Sequence, residues 1–298
     1  MEFHQALYET LRQGNRGLAA PMPPLEELAR VLLSCRRVLI LTGFPVDCGG
    51  YIVGETDGPC GAAEIAGALT ALGCRVTVAT DEPSYPLVKA AVALAAPGAE
   101  TALIPLFGTA EYARMLMDAL RPDLVLTIER PGKATDGHFH NMRGHVIDYM
   151  TADTDCILSL AAERRCVTVA VGDGGNELGM GALLPQIVAG VPHGAEIAAV
   201  QEAQYTLVAG VSNWWGPGLS ALLSHASGRP LMLSSLEEAA LLRTVSAAGG
   251  VDGCTGEHGL SVDGLPLEFH LTIRPRPAPR KPFTTGRRCG KRYCPWAC

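Results

Sequence analysis

The feature that most constrains the fold of this chain is the stretch 166–188, CVTVAVGDGGNELGMGALLPQIV. Its first part, 166–171, is apolar and rich in β-branched side chains, which predicts a strand buried on both faces. The glycine-rich turn GDGG follows, and the apolar positions of 178–187 recur at roughly helical spacing. We therefore predict a strand, a tight turn and a helix that opens at Asn176 and Glu177. Proteins of the α/β class bind ligands at junctions of this kind.

Apolar runs followed by polar loops recur along the chain. Further strands are predicted at 37–41, 75–79, 101–105, 124–128, 205–211 and 267–273. Because the carboxyl ends of parallel strands lie on one edge of a sheet, we expect segments such as GETDG, ERPG, GDGGNE and SNWW to converge in one cleft. The sequence thus predicts an α/β fold with a mostly parallel, doubly wound, Rossmann-like sheet, helices on both faces and long strand-end loops.

Composition limits the classes of function. The chain has 298 residues, of which 48% are hydrophobic and 18% charged, as is typical of a compact α/β enzyme. The net charge of −6 argues against a general nucleic-acid binder, and no apolar run reaches the length of a membrane span. We expect a small-molecule substrate and neither nucleic acid nor a membrane as partner, while the oligomeric state stays open. The N-terminal segment has no features of a secretory or transit peptide, so no targeting segment is predicted in this chain.

Shifts in composition divide the chain into three predicted regions. Residues 1–24 form an N-terminal helical extension that ends in prolines, and residues 25–273 form the α/β domain. Residues 274–298 are basic and rich in Pro, Arg and Cys, which predicts a disordered tail. The cysteines of this tail have no obvious fourth ligand with which to form a zinc site.

Acidic residues lie beside two glycine-rich turns. Asp173 and Glu177 belong to GDGGNE, and Glu55 and Asp57 precede the predicted helix of GAAEIAGAL. A helix N-terminus favours an anion, so acids at this position indicate a cation, a substrate amine or proton transfer. The alternative is local structure, in which Asp173 forms the turn and Asp57 caps the helix.

The loop after the predicted strand 124–128 is the second informative segment. His138 and His140 in H-x-H spacing, with acids nearby, are compatible with a metal site, although a solvated polar loop explains them equally. A guanidinium group matches a carboxylate with two parallel hydrogen bonds. Arg130 and Arg143 are therefore candidates for binding a substrate carboxylate.

Seven motifs taken together resemble the D-glutamate cyclase family, as found in the C-terminal domain of its mammalian members and in bacterial relatives. These motifs are LTGFPV, GETDGPCGAAEIAGAL, VTVATDE, ERPG-x-x-x-DG-x-x-x-NMRG, VGDGGNELGMG, VAGVSNWW and VDGCTG. The resemblance covers roughly residues 25–273 and ends after Ile273. It implies a hydro-lyase that closes D-glutamate to 5-oxo-D-proline with release of water. For the mammalian members it also implies the mitochondrial matrix and a further domain upstream.

Roles in such a reaction can be assigned to residues as hypotheses. Ring closure needs a base for the amine, an acid for the departing water and a group that polarises the γ-carboxylate. The candidate catalytic residues are Asp173, Glu177, Glu55 and Asp57. The candidate substrate-binding residues are Arg130, Arg143, Asn141, Gly174, Gly175, Asn176, Ser212 and Asn213. We expect the N–H groups of the two glycines to be free as oxyanion donors.

The cofactor is left open by the sequence, with a divalent metal, Mg²⁺ or Mn²⁺, as the candidate. The candidate metal ligands are Asp173, Glu177, Asp57 and Glu129. Two other functions are also open. One is a metal-dependent nucleotide- or phosphate-binding enzyme, although the chain has no G-x-x-x-x-G-K-[ST] motif. The other is a small-molecule-binding domain without catalysis.

Overall fold

A parallel sheet of six strands forms the centre of the protein in a computed structural model, which describes residues 2–14 and 17–275. Within these residues the strands are β1 (Arg37–Thr42), β2 (Pro45–Asp47), β3 (Ile52–Gly54), β4 (Arg75–Asp81), β5 (Glu100–Ile104), β6 (Leu124–Ile128), β7 (Val167–Gly172), β8 (Tyr205–Val208), β9 (Ser261–Val262) and β10 (Leu265–Pro266). The pairs β2–β3 and β9–β10 are small antiparallel hairpins outside the central sheet.

Helices cover both faces of the central sheet. In the described part of the chain they are α1 (Glu2–Leu11), α2 (Leu25–Ser34), α3 (Pro59–Ala71), α4 (Tyr85–Ala95), α5 (Thr109–Leu120), α6 (Asp155–Glu163), α7 (Leu184–Gly190), α8 (Gly194–Ile197), α9 (Trp215–Ser227), α10 (Ser235–Ala247) and α11 (Leu267–His270). Alternate side chains of β1 pack on opposite faces. Val38 and Ile40 join a core with α2, α3, α4, α9 and α10, and Leu39 and Leu41 join one with α5 and α6.

The order of strands in the sheet is β5-β4-β1-β6-β7-β8, and neighbouring strands run parallel. The chain therefore winds outward from β1 through β4 to β5, and then from β6 outward through β7 to β8. The doubly wound α/β fold predicted from the sequence is confirmed. The direction of winding reverses between β1 and β6, and folds of this kind bind their ligands at the carboxyl ends of the strands beside that reversal.

The first turns of α3 and α9 meet at a pair of glycines. A Cβ atom added at Gly216 would lie 2.6 Å from the Gly61 Cα atom, and one added at Gly61 would lie 2.9 Å from the Asn213 carbonyl oxygen. Only glycine permits such a close approach of two backbones. The loops that lead into these two helices are consequently held side by side at the carboxyl edge of the sheet.

The predicted helix that opens at Asn176 and Glu177 is wrong. A short 3-10 turn spans Gly181–Leu183, and α7 begins only at Leu184. The reason is that this segment pairs with the loop after β6, since the Leu178 N–H donates to the Arg130 carbonyl oxygen at 2.7 Å, while the Glu177 side chain accepts three N–H groups from the preceding glycine turn. The apolar spacing of this segment thus belongs to a later helix than predicted.

The predicted strand at 267–273 is also wrong, since this segment forms the single helical turn α11. Leu267 and His270 are its buried side chains, and their spacing is that of one helical turn. The Trp214 Nε1–H group donates to His270 Nδ1 at 2.9 Å. This buried hydrogen bond fixes the helical turn against the segment that follows β8.

The N-terminal helix packs on the same core as the sheet. Leu7, Tyr8 and Leu11 of α1 are buried in the core cluster that contains the strands and α9, and Gly210 donates its N–H to the Leu11 carbonyl oxygen at 3.0 Å. None of the helices in the described part of the chain is both long and apolar enough to cross a membrane. The tail predicted to be disordered lies outside the described residues from residue 276 onward.

A buried acidic residue of α3 and a half-buried one of α10 lie close together. Glu64 of α3 accepts the N–H of Leu233 at 3.3 Å, and Glu238 of α10 pairs with Arg274 at 2.6 Å. Burial raises the pKa of Glu64 to about 8, and the negative charge of Glu238 contributes in the same direction. Burial also raises the pKa of Glu238 to about 7, although Arg274 acts in the opposite direction. The folded protein thus holds protons here that an unfolded chain releases at lower pH.

We predict that Glu64→Gln makes the protein more stable at alkaline pH. The unfolded chain releases the Glu64 proton near pH 4.5, as an ordinary glutamate does, whereas the folded chain releases it near pH 8. The free energy of unfolding of the wild type therefore falls as the pH rises from about 4.5 to about 8. The Gln side chain does not titrate, so the variant avoids this loss. We expect its free energy of unfolding to exceed that of the wild type by a few kcal/mol at about pH 9, and by less at about pH 5. Urea unfolding at both pH values measures the effect. Glu163→Gln, at an exposed position of α6, is the control, and an equal pH dependence in both variants would contradict the prediction.

Candidate active site

A cavity of about 440 Å³ lies at the carboxyl edge of the sheet, beside the reversal between β1 and β6. The loops that follow β1, β6 and β7 contribute to its wall, together with the turn before β9. Its polar lining includes Glu55, Glu129, Asn141, Arg143, Asp173 and Asn176, and its apolar lining includes Phe44, Met142, Ile147 and Met150. Residues of GETDG, ERPG and GDGGNE thus meet around one space, as expected for parallel strands, whereas those of SNWW do not line it.

Three carboxylates converge at the inner end of this site, and we refer to Asp57, Glu129 and Asp173 as the carboxylate cluster. One oxygen from each lies within 4.8 Å of the others, and all three side chains are buried. Each comes from a different loop, because Asp57 precedes α3, Glu129 follows β6 and Asp173 follows β7. Among the described residues this is the group of acids, histidines or cysteines whose geometry suits a metal ion.

Backbone N–H groups hold two members of the cluster. The N–H of Ser212 lies 3.0 Å from Asp57 Oδ2 and 3.2 Å from Asp173 Oδ2, so one donor joins both carboxylates. Asp57 Oδ1 also accepts the N–H groups of Asn213 at 2.7 Å and Gly58 at 2.9 Å. The donors at Ser212 and Asn213 open the helical segment that leads into α9, where free N–H groups and the helix dipole favour negative charge.

Glu129 is the least compensated member of the cluster. Its Oε2 atom is buried and has no hydrogen-bond partner among the described residues, and its backbone φ of 44° lies in the left-handed region that costs a non-glycine residue about 1 kcal/mol or more. Burial raises the pKa of the Glu129 carboxyl well above its usual range, and the charges of Asp173, Glu177, Asp57 and Glu55 raise it further. A strained backbone and a buried carboxyl oxygen without a hydrogen-bond partner together mark a position where structure is held for function.

The buried Glu177 side chain stabilises the glycine turn by hydrogen bonds to its backbone. Its Oε1 atom accepts the N–H groups of Asp173 at 2.9 Å and Gly174 at 2.7 Å, and its Oε2 atom accepts that of Gly175 at 2.6 Å. The expectation that the two glycine N–H groups are free as oxyanion donors is therefore wrong. In this structure they bind an internal carboxylate, and this contact positions Asp173 at the cavity wall.

Arg130 lies beneath the cavity and does not line it. Its guanidinium group is fully buried and forms an ion pair with Asp81 at 2.7 Å. It also donates to Thr154 Oγ1 at 3.0 Å and to the carbonyl oxygens of Ala152 at 2.7 Å and Gly43 at 3.2 Å. The structure corrects the assignment of Arg130 to a substrate carboxylate, because these donors are directed to protein groups. Arg130 instead connects the ends of β4 and β6.

The other predicted substrate-binding residues divide into two groups. Asn141, Arg143 and Asn176 line the cavity, and the exposed Arg143 supplies a guanidinium at its rim. Asn213 does not line the cavity, since its side chain accepts the N–H of Gly61 at 2.8 Å and donates to a carbonyl oxygen of the loop before α3. Ser212 and Asn213 therefore position the cluster through their backbones.

The histidines of the H-x-H motif do not converge on one point. His138 Nδ1 lies 2.6 Å from Asp148 Oδ2, and His140 Nε2 lies 3.0 Å from Asp136 Oδ2. Each imidazole thus has its own carboxylate partner. This geometry favours the interpretation of a polar loop over that of a metal site.

Comparison with known proteins supports the family indicated by the sequence motifs. Residues 10–274 match the family model described as D-glutamate cyclase-like, C-terminal. The chain belongs to the D-glutamate cyclase-like family. A relative named D-glutamate cyclase, mitochondrial, from Homo sapiens is 33% identical over 298 aligned residues, which cover 87% of this chain and 48% of the relative. The chain therefore spans about half the length of the curated relative that it matches.

Sequence reasoning missed several residues of this D-glutamate cyclase-like cavity. Cys254 and Asp263 line it from the segments on either side of β9, and Asp47 and Tyr149 line the opposite rim. The Tyr149 hydroxyl donates to Asp47 Oδ2 at 3.1 Å, which joins the β2–β3 hairpin to the loop after β6. The motif VDGCTG pointed to this region only through the family resemblance, and no local pattern marks Asp47 and Tyr149.

We predict that Arg130→Met lowers stability far more than Arg143→Met. The first change leaves the Asp81 carboxylate buried without its cation, and loss of one partner of a buried ion pair costs about 3–5 kcal/mol. The second change removes an exposed side chain, for which we expect a change within about 0.5 kcal/mol. Urea unfolding measures both. Addition of Asp81→Asn to the Arg130 variant should recover part of the loss, and equal stability of the two single variants would contradict the structural role of Arg130.

Proposed function

We propose that this chain catalyses the reversible closure of D-glutamate to 5-oxo-D-proline with release of water, as a carbon–oxygen lyase. The observation that carries the proposal is a buried carboxylate cluster that opens into a cavity beside the winding reversal, in a member of the D-glutamate cyclase-like family. The name of the human relative supports the same reaction, and its mitochondrial location is proposed for this chain as well. A cavity of about 440 Å³ has the size of a small-molecule site.

The reaction sets clear chemical demands. The amine nitrogen must lose two protons as it forms a bond to the γ-carboxyl carbon, and a carbon–oxygen bond must break so that the oxygen leaves as water. A carboxylate is a poor electrophile, and an ammonium group is no nucleophile. The site must therefore provide a base near the amine, an acid near the departing oxygen and an electrophilic group near the γ-carboxylate.

Groups that suit these demands are among the residues that line the cavity. Asp173 and Glu55 line the inner wall as carboxylates that can accept the amine protons. Arg143 lies at the rim, where its guanidinium can bind the α-carboxylate of the substrate. Asn141 and Asn176 also line the cavity, and both amides contact the backbone, because Asn141 Oδ1 accepts the Arg143 N–H at 3.0 Å and Asn176 Nδ2 donates to the His140 carbonyl oxygen at 2.8 Å. The substrate would thus lie with its α-carboxylate outward and its reacting atoms beside the carboxylate cluster.

The phosphate-binding alternative loses support from the geometry of the glycine turn. Its N–H groups, which would cradle a phosphate, donate to Glu177, and the nearby cluster would repel the phosphate charge. A binding domain without catalysis has the same cavity, and measurement of turnover separates it from an enzyme.

We predict that the purified chain forms 5-oxoproline from D-glutamate and much less from L-glutamate, as followed by mass spectrometry and chiral chromatography. Asp173→Asn removes a candidate proton acceptor, and we expect kcat to fall by about 10² or more. Asp118→Asn, an exposed position on α5, is the control and should keep wild-type kinetics. Unchanged kcat in the Asp173 variant would contradict its role. Absence of product from the folded wild type would contradict the proposed function and favour the binding domain.

We predict that Arg143→Met raises KM for D-glutamate by about tenfold or more, with a smaller change in kcat. The guanidinium at the rim binds a carboxylate that does not react, so its loss weakens substrate binding by about 1.4 kcal/mol or more. Steady-state kinetics with the variant and the wild type give both constants. A wild-type KM in the variant would exclude Arg143 from substrate binding.

A further inference from the structure

We propose that the carboxylate cluster of Asp57, Glu129 and Asp173 binds one divalent cation of the Mg²⁺ or Mn²⁺ type. The binding site itself stands on the geometry of the cluster, and only its catalytic consequence rests on the proposed function. Hard divalent cations prefer carboxylate oxygens from several chain segments, which is the ligand set present here.

Buried polar atoms without partners are found on one member of the cluster and on two residues close to it. Glu129 is only 6% exposed, and its Oε2 atom has no hydrogen-bond partner among the described residues. The hydroxyl groups of Ser212 and Thr42 are also buried and lack partners in the described structure. Ser212 is the residue whose N–H joins Asp57 to Asp173. Thr42 lies close to Glu129, because a Cβ atom added at Gly58 would lie 2.7 Å from Thr42 Oγ1 and 2.8 Å from Glu129 Cβ. Buried polar atoms in native proteins nearly always have partners, so this concentration indicates a ligand.

The distribution of charge also indicates a cation. Backbone N–H groups compensate Asp57 and Asp173, and three more compensate Glu177, whereas Glu129 Oε2 receives none. Several buried carboxylates at this distance repel one another strongly unless positive charge lies between them. One oxygen of each acid lies within 4.8 Å of the others, so the three side chains are close enough to converge on one ion.

The positive charge among the carboxylates could come from a metal ion or from the substrate ammonium group. The chemistry of ring closure favours the metal ion. An ammonium group held among three carboxylates would have a raised pKa and would remain protonated, which prevents nucleophilic attack. A divalent cation would instead supply Lewis acidity to the γ-carboxylate, which is a poor electrophile by itself. Glu129 and Asp173 line the cavity, so a cation bound to them is accessible to the substrate.

The site can be tested without substrate by measuring how Mn²⁺ binds to the full chain after EDTA has removed any bound metal. Electron paramagnetic resonance should detect about one bound Mn²⁺ per chain, and Mg²⁺ should displace it. Glu129→Gln keeps the shape of the side chain, and we expect it to weaken Mn²⁺ binding by about tenfold or more. The variant has no carboxyl group to desolvate on folding, so its melting temperature in EDTA should exceed that of the wild type, and Mn²⁺ should raise it less. Asp118→Asn is the matched control, with wild-type binding expected.

The outcomes separate this inference from the proposed function. Binding of Mn²⁺ that depends on Glu129 supports the site even if no 5-oxoproline is ever formed. Absence of Mn²⁺ binding at millimolar concentration, or equal binding by Glu129→Gln, overturns the inference. Full turnover of the EDTA-treated chain with no metal bound overturns the catalytic role of the cation and leaves the proposed function intact. If circular dichroism shows that Glu129→Gln is unfolded, Asp173→Asn makes the same test at another ligand.

Discussion

The interaction on which the rest of the site depends is the hydrogen bond from one backbone N–H, that of Ser212, to both Asp57 and Asp173. It joins the loops after β1, β7 and β8 at one atom. The side chain of Asn213 completes the connection, because it accepts the N–H of Gly61 in the first turn of α3. Two helix N-termini thus face each other across the edge of the sheet, and the acids between them have fixed positions before any ligand arrives. Such preorganisation reduces the cost of binding.

Three buried carboxylates in this protein differ in how the fold compensates them, and the differences indicate their roles. Asp81 pairs with Arg130 in a fully buried ion pair, which connects strands and leaves no charge for a ligand. Glu177 accepts three backbone N–H groups and so organises a turn. Glu129 has neither kind of partner at its Oε2 atom. The carboxylate that the fold satisfies least is one that lines the cavity, as expected where stability is given up for function.

Sequence alone predicted the sheet and the place of the site, because both follow from short-range patterns. Apolar runs such as 124–128 mark buried strands, and parallel topology brings the residues after them to one edge. The burial of Arg130 could not be predicted, since its partner Asp81 is distant in sequence and the same residue type suits a substrate carboxylate. The conformation at Glu177 was also hidden, because an acid after a glycine turn fits a helical first turn equally well and only the three-dimensional path of the turn decides between them.

The position of the carboxylate cluster in the winding of the chain has a consequence for folding. Asp57 follows β1 in the half of the sheet formed by β1, β4 and β5, whereas Glu129 and Asp173 follow β6 and β7 in the other half. The repulsion between Asp57 and the other two acids therefore arises only when the two halves dock, and it opposes that step. Screening by salt, or a counterion that arrives during docking, would speed the final closure of the domain. The arrangement that makes the cluster a candidate site thus also opposes the last step of folding.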